Sequence, residues 1–202
     1  MGRLTLEPFR RAKVRRRARH ALAVNPAEFD ARVELARDAL ARGRAGAALP
    51  ILEPIVARAD GAAEVLRLHG LALLGASRAA EAEAAFRAAL AADRKERESR
   101  LGLAVALAAE ERWGEARREI EAYRSTRPGD ARGSWAEAAI RLREGGDGAT
   151  DRALASLHEL VAEQRIKPGY ARRRDRRWAV KARLALLTRR VPERADVLRG
   201  AV

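Results

Sequence analysis

The 202-residue chain contains no cysteine. That excludes a disulfide scaffold, a thiolate zinc site, an iron–sulfur cluster and thiol catalysis. Aromatic residues make up only 4% of it, too few for a β-sandwich or barrel, whose strands lean on β-branched and aromatic side chains. No apolar run approaches the ~20 residues that span a bilayer. The first twenty residues lack the apolar core of a secretory signal, so a cytoplasmic protein is expected. The three histidines, His20, His69 and His158, lie far apart and form no metal-ligand pattern. The run Gly145-Gly146-Asp147-Gly148 lacks the Lys-Ser/Thr of a phosphate loop and follows no strand pattern. Carboxylate pairs such as Glu110-Glu111 and Glu119/Glu121 suit solvated helix faces. No cofactor, no metal and no catalytic residue are expected, and the chain reads as a non-enzyme.

What is abundant is Ala, Leu, Arg and Glu, the composition of helices. Hydrophobic residues at 48% are enough for a core. The fold class expected is all-α. The net charge of +14 is unevenly spread. Residues 1–20 carry eight Lys and Arg against the single acid Glu7. Residues 164–202 carry thirteen against Asp175, Glu193 and Asp196. The stretch between them holds twenty-one basic and twenty-four acidic residues. Two strongly basic ends on a nearly neutral body point to an acidic partner.

Sliding the chain against itself by 34 residues aligns three blocks, 29–62, 63–96 and 97–130. In each block a first helix places Leu35/His69/Leu103, Ala36/Gly70/Ala104 and Ala39/Leu73/Leu107 in matched columns. A second helix places Ala48/Ala82/Ala116, Leu52/Phe86/Ile120 and Ile55/Ala89/Tyr123. Spacings of three and four put each set on one helical face. The small columns let paired helices approach closely, and the bulky column fills the space between successive pairs.

These columns resemble the tetratricopeptide-repeat (TPR) family. Leu66, Gly70, Leu73, Ala82, Phe86 and Ala89 match its pattern best, and Trp113, Ala116 and the closing Pro128 extend the match in the next block. Asn25-Pro26 falls three repeats upstream of Pro128, so residues 9–24 read as the second helix of a truncated repeat. The family's aromatic positions are mostly aliphatic here. The resemblance implies a right-handed α-solenoid of TPR-like helix pairs. Its divisions are a basic N-terminal segment and half-repeat helix at 1–28 and three repeats at 29–130. A degenerate fourth repeat follows at 131–163, and a basic C-terminal capping helix and tail at 164–202. The fourth repeat uses Trp135, Ala138, Ala139 and Leu142, then Ala153, Leu157, Leu160 and Val161. In the last segment Trp178, Ala182, Ala185 and Leu186 form an apolar stripe surrounded by arginines.

The resemblance also implies a concave groove lined by the first helix of each pair, binding a protein segment within a larger assembly. The groove columns carried over are Val33, Arg37 and Leu40, then Arg67, Leu68, Leu71 and Leu74, then Leu101 and Val105. An exposed apolar strip of that kind suits an amphipathic helix or apolar peptide. Alternatively the superhelix is tight, or the chain's own ends cover the strip. Asp30, Glu64 and Glu98 recur at the start of each first helix, either as an acidic lip selecting a basic ligand or as first-turn carboxylates favoured by the helix dipole. A chaperone-tail clamp is not expected, since among the positions that would hold a carboxylate only Arg37 is suitable. The second functional reading is nucleic-acid or ribonucleoprotein binding through the basic ends. Those patches are Arg10, Arg11, Lys13, Arg15, Arg16 and Arg17 at one end, and Arg172, Arg173, Arg174, Arg176, Arg177 and Lys181 at the other. An anionic membrane surface is a third reading for the same arginines.

Overall fold

Ala- and Leu-rich segments with apolar residues every third and fourth place become helices throughout the computed structural model, which describes residues 7–25, 28–57, 62–126, 130–145 and 148. In chain order these are α1 (Glu7–Val24), α2 (Phe29–Ala41), α3 (Ala45–Val56), α4 (Ala63–Gly75), α5 (Ala79–Ala92), α6 (Glu98–Ala109), α7 (Trp113–Thr126) and α8 (Ala131–Glu144). No strand occurs among the described residues. The helices stack in sequence as an all-α solenoid. One layer is built from α2, α4, α6 and α8 and the other from α3, α5 and α7, with α1 packed on α2. The expected second helix of the fourth repeat and the capping helix lie outside the described residues.

The columns expected to pack do pack. Ala36, Ala48, Ala82, Ala104 and Ala116 are fully buried, as are Leu52 and Phe86. Phe86 explains why glycine recurs beside it. A Cβ placed on Gly70 would stand 2.8 Å from its ring, and one on Gly102 would overlap the ring. The side chain of α5 is therefore wedged between the backbones of its own pair and of the next. Gly75 makes a similar close approach, since a Cβ there would run into Ala45 at the start of α3.

Each pair turns by the same device. Gly43, Ser77 and Glu111, spaced 34 apart, all have positive φ, at 73°, 63° and 61°. The amide of the following residue, Arg44, Arg78 or Arg112, donates 2.9 Å to the carbonyl of Ala39, Leu73 or Leu107. This is a left-handed C-terminal cap, which satisfies carbonyls the helix end leaves free. Only Gly43 adopts it without steric cost. The helix α3 departs from the rest by holding Pro50 and Pro54 in its interior. Both lie exposed, one turn apart. Each lacks an amide hydrogen, so the carbonyls of Gly46 and Pro50 lose their intrahelical donors. The buried face of Ala48, Leu49, Leu52 and Ile55 keeps the helix in place.

Two substitutions test this packing by urea denaturation. Gly102→Ala is expected to cost about 1–3 kcal/mol through overpacking against Phe86, and Phe86→Leu in the same chain should recover part of that loss. Ser77→Gly is expected to add about 0.5–1 kcal/mol by relieving the left-handed turn.

Candidate interaction surface

On α6, at about 100° per residue, Gly102 points to Phe86 of the preceding pair, while Leu103, Ala104 and Leu107 are the columns that pack on α7. Leu101, Val105 and Ala108 fall within about 60° of one another on the remaining side. In α4 the matching residues are Arg67, Leu71 and Leu74, and in α8 they are Trp135, Ala139 and Leu142. This side of the α2–α4–α6–α8 layer faces away from α5 and α7, and is termed the inner face below.

Of the two arrangements the sequence leaves open, an exposed apolar strip or a closed one, the inner face has its apolar residues buried. Val33, Leu40, Arg67, Leu71, Leu74, Leu101 and Val105 are all buried, and so is Leu68. Leu68 occupies the column of Gly102, turned to the preceding helix pair rather than inward. Helix α6 is buried at eight successive positions, Leu101 to Ala108, so it has no water-facing side over those two turns. Of the nine groove residues only Arg37 keeps substantial access, with 38% of its side chain exposed.

Two members of the acidic column, Glu64 and Glu98, are held by arginines from neighbouring units, a pattern the sequence did not reveal. Arg37 of the first repeat pairs with Glu64 of the second. Arg67 lies 3.4 Å from Glu96 and 3.9 Å from Glu64. Arg132, where the acidic column ends, turns back to Glu98 at 2.9 Å. The junctions behind this layer are tied similarly: Arg112 reaches Glu83 at 2.8 Å, and Arg117 and Arg124 pair with Glu144 and Glu137. The arginines Arg44, Arg78 and Arg112 share one column, and Arg78 and Arg112 each also bind a glutamate three residues on. That identity at period 34 was the sequence signal available.

A buried polar node locks α7 to α8. Asp130 caps α8 by accepting from the Arg132 amide at 3.0 Å. Its carboxylate also receives the Arg132 guanidinium at 2.7 Å and the Tyr123 hydroxyl at 2.6 Å. The guanidinium lies 5.8 Å from the centre of the Tyr123 ring. Burial alone would raise the Asp130 carboxyl, but hydrogen bonds from Arg132 and Tyr123 and the neighbouring charge outweigh it and hold the group at about 2. Burial, with Asp130 beside it, pushes the Tyr123 hydroxyl upward.

The N-terminal basic patch is exposed. On α1, Ala18 is buried and Arg15 turns to Asp38 at 3.4 Å. Lys13, Arg16, Arg17 and His20 share the opposite face and are exposed, as is Arg19. Lys13, Arg16, Arg17 and Arg19 have no acidic partner among the described residues. Arg10 and Arg11 lie on α1, and their side chains are outside what the structure describes, as are Arg172, Arg173, Arg174, Arg176, Arg177 and Lys181. Among the described residues, no three metal-ligating side chains converge, and no helix is long and apolar enough to cross a membrane.

Stacked helix pairs with an inner layer define a helical-repeat interaction protein. The repeat is of the tetratricopeptide kind: that family's model matches residues 73–140, and the helical-repeat fold agrees with it. The crystal structure of YrrB, described as a TPR protein with an unusual peptide-binding site, superposes with a TM-score of 0.55 at 17% identity. The match covers 91% of this chain and 90% of that one. No curated protein sequence matches the chain significantly. The role this fold supports is that of a protein-interaction adaptor.

Two titrations follow from the geometry. His69 stands in a column filled by Leu35 and Leu103, and burial lowers its pKa despite Glu53 and Glu81, with Arg78 adding to the lowering. The unfolded chain therefore binds the proton more readily, and stability falls as pH drops below about 6.5. In denaturation series from pH 7 to 5, His69→Leu is expected to flatten that fall. The Asp130 contribution is present above the unfolded carboxyl pKa and is lost as pH falls from about 4 toward 2. Asp130→Ala is expected to cost about 2–4 kcal/mol at pH 7 by removing the cap and stranding Arg132, against about 1 kcal/mol for Tyr123→Phe.

Proposed function

We propose that the protein is a non-enzymatic cytoplasmic adaptor that seats a helical segment of a partner protein on the inner face of α4, α6 and α8, within a larger assembly. The observation that carries this reading is the make-up of that face. Leu71, Leu74, Leu101 and Val105 form an apolar floor on the side turned from α5 and α7, and Glu64, Glu96 and Glu98 edge it. A floor of that shape suits the apolar stripe of an amphipathic helix, and the acidic edge favours a helix whose polar face is basic. The floor is buried in the chain as it stands, so a partner seats there only when the layer opens. The affinity is then lowered by the fraction of chains that are open.

A second reading rests on the exposed cations of α1. Lys13, Arg16, Arg17 and Arg19 would dock on a polyanion, either an acidic protein surface or a nucleic-acid backbone. Nucleic-acid binding would lose affinity in proportion to the phosphates neutralised as salt rises. An anionic membrane is less suited, because Val14 and Val24 are the only exposed large apolar side chains among the described residues and do not form a broad apolar face.

Photocrosslinking in cells separates these readings. A photoreactive benzoyl-phenylalanine is placed at position 37 on the edge of the inner face, at position 13 on α1, or at position 88 on the outside of α5. Proteins captured from position 37 and not from position 88 are the expected result. Capture only from position 13, or of nucleic acid alone, would transfer the function to the basic helix.

A further inference from the structure

The exposed cations of α1 do not stand alone. Helix α1 packs on α2, and the two run antiparallel. Arg15, nine residues before the end of α1, meets Asp38, nine residues after the start of α2. The Asp38 Oδ2 that lies 3.4 Å from Arg15 also lies 3.0 Å from Arg42, at the end of α2. One carboxylate thus serves two guanidiniums. The antiparallel pairing also sets the first turns of α1 beside the turn Arg42-Gly43-Arg44.

That turn differs from its counterparts in the later repeats. There it reads Ala76-Ser77-Arg78 and Glu110-Glu111-Arg112, and the arginine is bound by the glutamate three residues on, Glu81 or Glu115. In the first repeat the glutamate's place is taken by Ala47, and Arg44 is exposed with no acidic partner among the described residues. Nothing lies within 4 Å of where a Cβ on Gly43 would stand, so the turn is open. Arg44 therefore joins Lys13, Arg16, Arg17 and Arg19 as a fifth exposed cation without an acid. On α1 the pairs Lys13–Arg16, Lys13–Arg17, Arg15–Arg19 and Arg16–Arg19 stand three or four residues apart, where like charges on a helix repel. A bound polyanion relieves that repulsion.

The chemistry of this end selects among polyanions. Four of the five cations are arginines, whose planar fork takes a phosphate through two parallel hydrogen bonds. A stable protein interface has an apolar or aromatic centre, but Val14 and Val24 are the only exposed large apolar side chains among the described residues. No aromatic side chain is exposed among those residues, so single-stranded bases find nothing to stack on. The phosphate-walled major groove of B-form DNA, about 12 Å wide, admits a helix. The narrow major groove of duplex RNA does not admit side chains.

We propose that the outer face of α1 and the turn Arg42-Gly43-Arg44 form one sequence-tolerant docking surface for the phosphate backbone of double-stranded DNA. This surface rests on the polyanion reading of α1, adds a second element to it and names the polyanion.

Fluorescence polarisation of the full chain with a labelled DNA duplex of about 20 base pairs, from about 50 to 200 mM salt, tests it. Log affinity should fall against log salt with a slope of about −4 or steeper, near −0.9 for each phosphate that the five cations neutralise. Ala47→Glu gives Arg44 the partner that Arg78 and Arg112 have, and should flatten the slope by about 1. Arg16→Gln with Arg17→Gln should flatten it by about 2, whereas Arg118→Gln on the exposed outside of α7 should leave it unchanged. A slope unmoved by Ala47→Glu or by the α1 pair overturns the proposal, as does equal or tighter binding to a single strand of the same length. Polyglutamate that competes as well as duplex at equal charge overturns the DNA assignment and leaves the polyanion reading standing. Binding to neither removes both.

Discussion

The whole stack depends on how close two helices can come around one ring. Phe86 has no room unless the backbones at Gly70 and Gly102 are bare, and α5 is thereby held against both α4 and α6. The equivalent places elsewhere use Leu52 and Ile120, smaller side chains; the Gly70 column there holds Ala36 and Ala104, and the Gly102 column holds Leu68 and Ala136. The middle repeat is therefore the joint that needs bare backbone on both sides of its bulky residue. Closely packed interiors transmit such differences rather than absorb them. The spacing at Phe86 thus sets how far the neighbouring pairs can lean, and with it the shape of the inner face.

Much of this was legible in the sequence because a repeat writes each structural demand several times. The small columns, the bulky column and the extent of α1 all follow from periodicity. Exposure was not legible. Val33, Leu71, Leu101 and Val105 sit at positions that face inward, but whether an inward face meets water depends on what else the chain folds over it, and no local pattern encodes that. The acidic column was ambiguous for a related reason. Glu64 and Glu98 are first-turn carboxylates, as the helix dipole would favour, yet each is also bound by an arginine from another unit. Pairing across units depends on superhelical stagger, which periodicity alone does not give. The left-handed turns were missed because Ser77 and Glu111 lack the glycine that marks them at Gly43.

The molecule thus presents two chemically opposite surfaces. The inner face is apolar, acid-edged and closed, whereas the outside of α1 is cationic and open. In the adaptor reading proposed above, an acidic partner would meet the exposed cations first, by long-range attraction, and the buried apolar floor only after local rearrangement.

The arginine ties between units have a mechanical consequence. Arg15–Asp38, Arg37–Glu64, Arg112–Glu83 and Arg132–Glu98 place at least one ionic strut across every joint from α1 to α8. Apolar packing at each joint resists separation but tolerates small rotations, whereas a strut fixes one angle. Solvent-exposed struts such as Arg37–Glu64 weaken as added salt shortens the Debye length from about 10 Å toward 3 Å, while the enclosed Arg132–Glu98 pair is screened much less. Rising ionic strength therefore loosens the joint held by Arg37–Glu64 more than the one held by Arg132–Glu98.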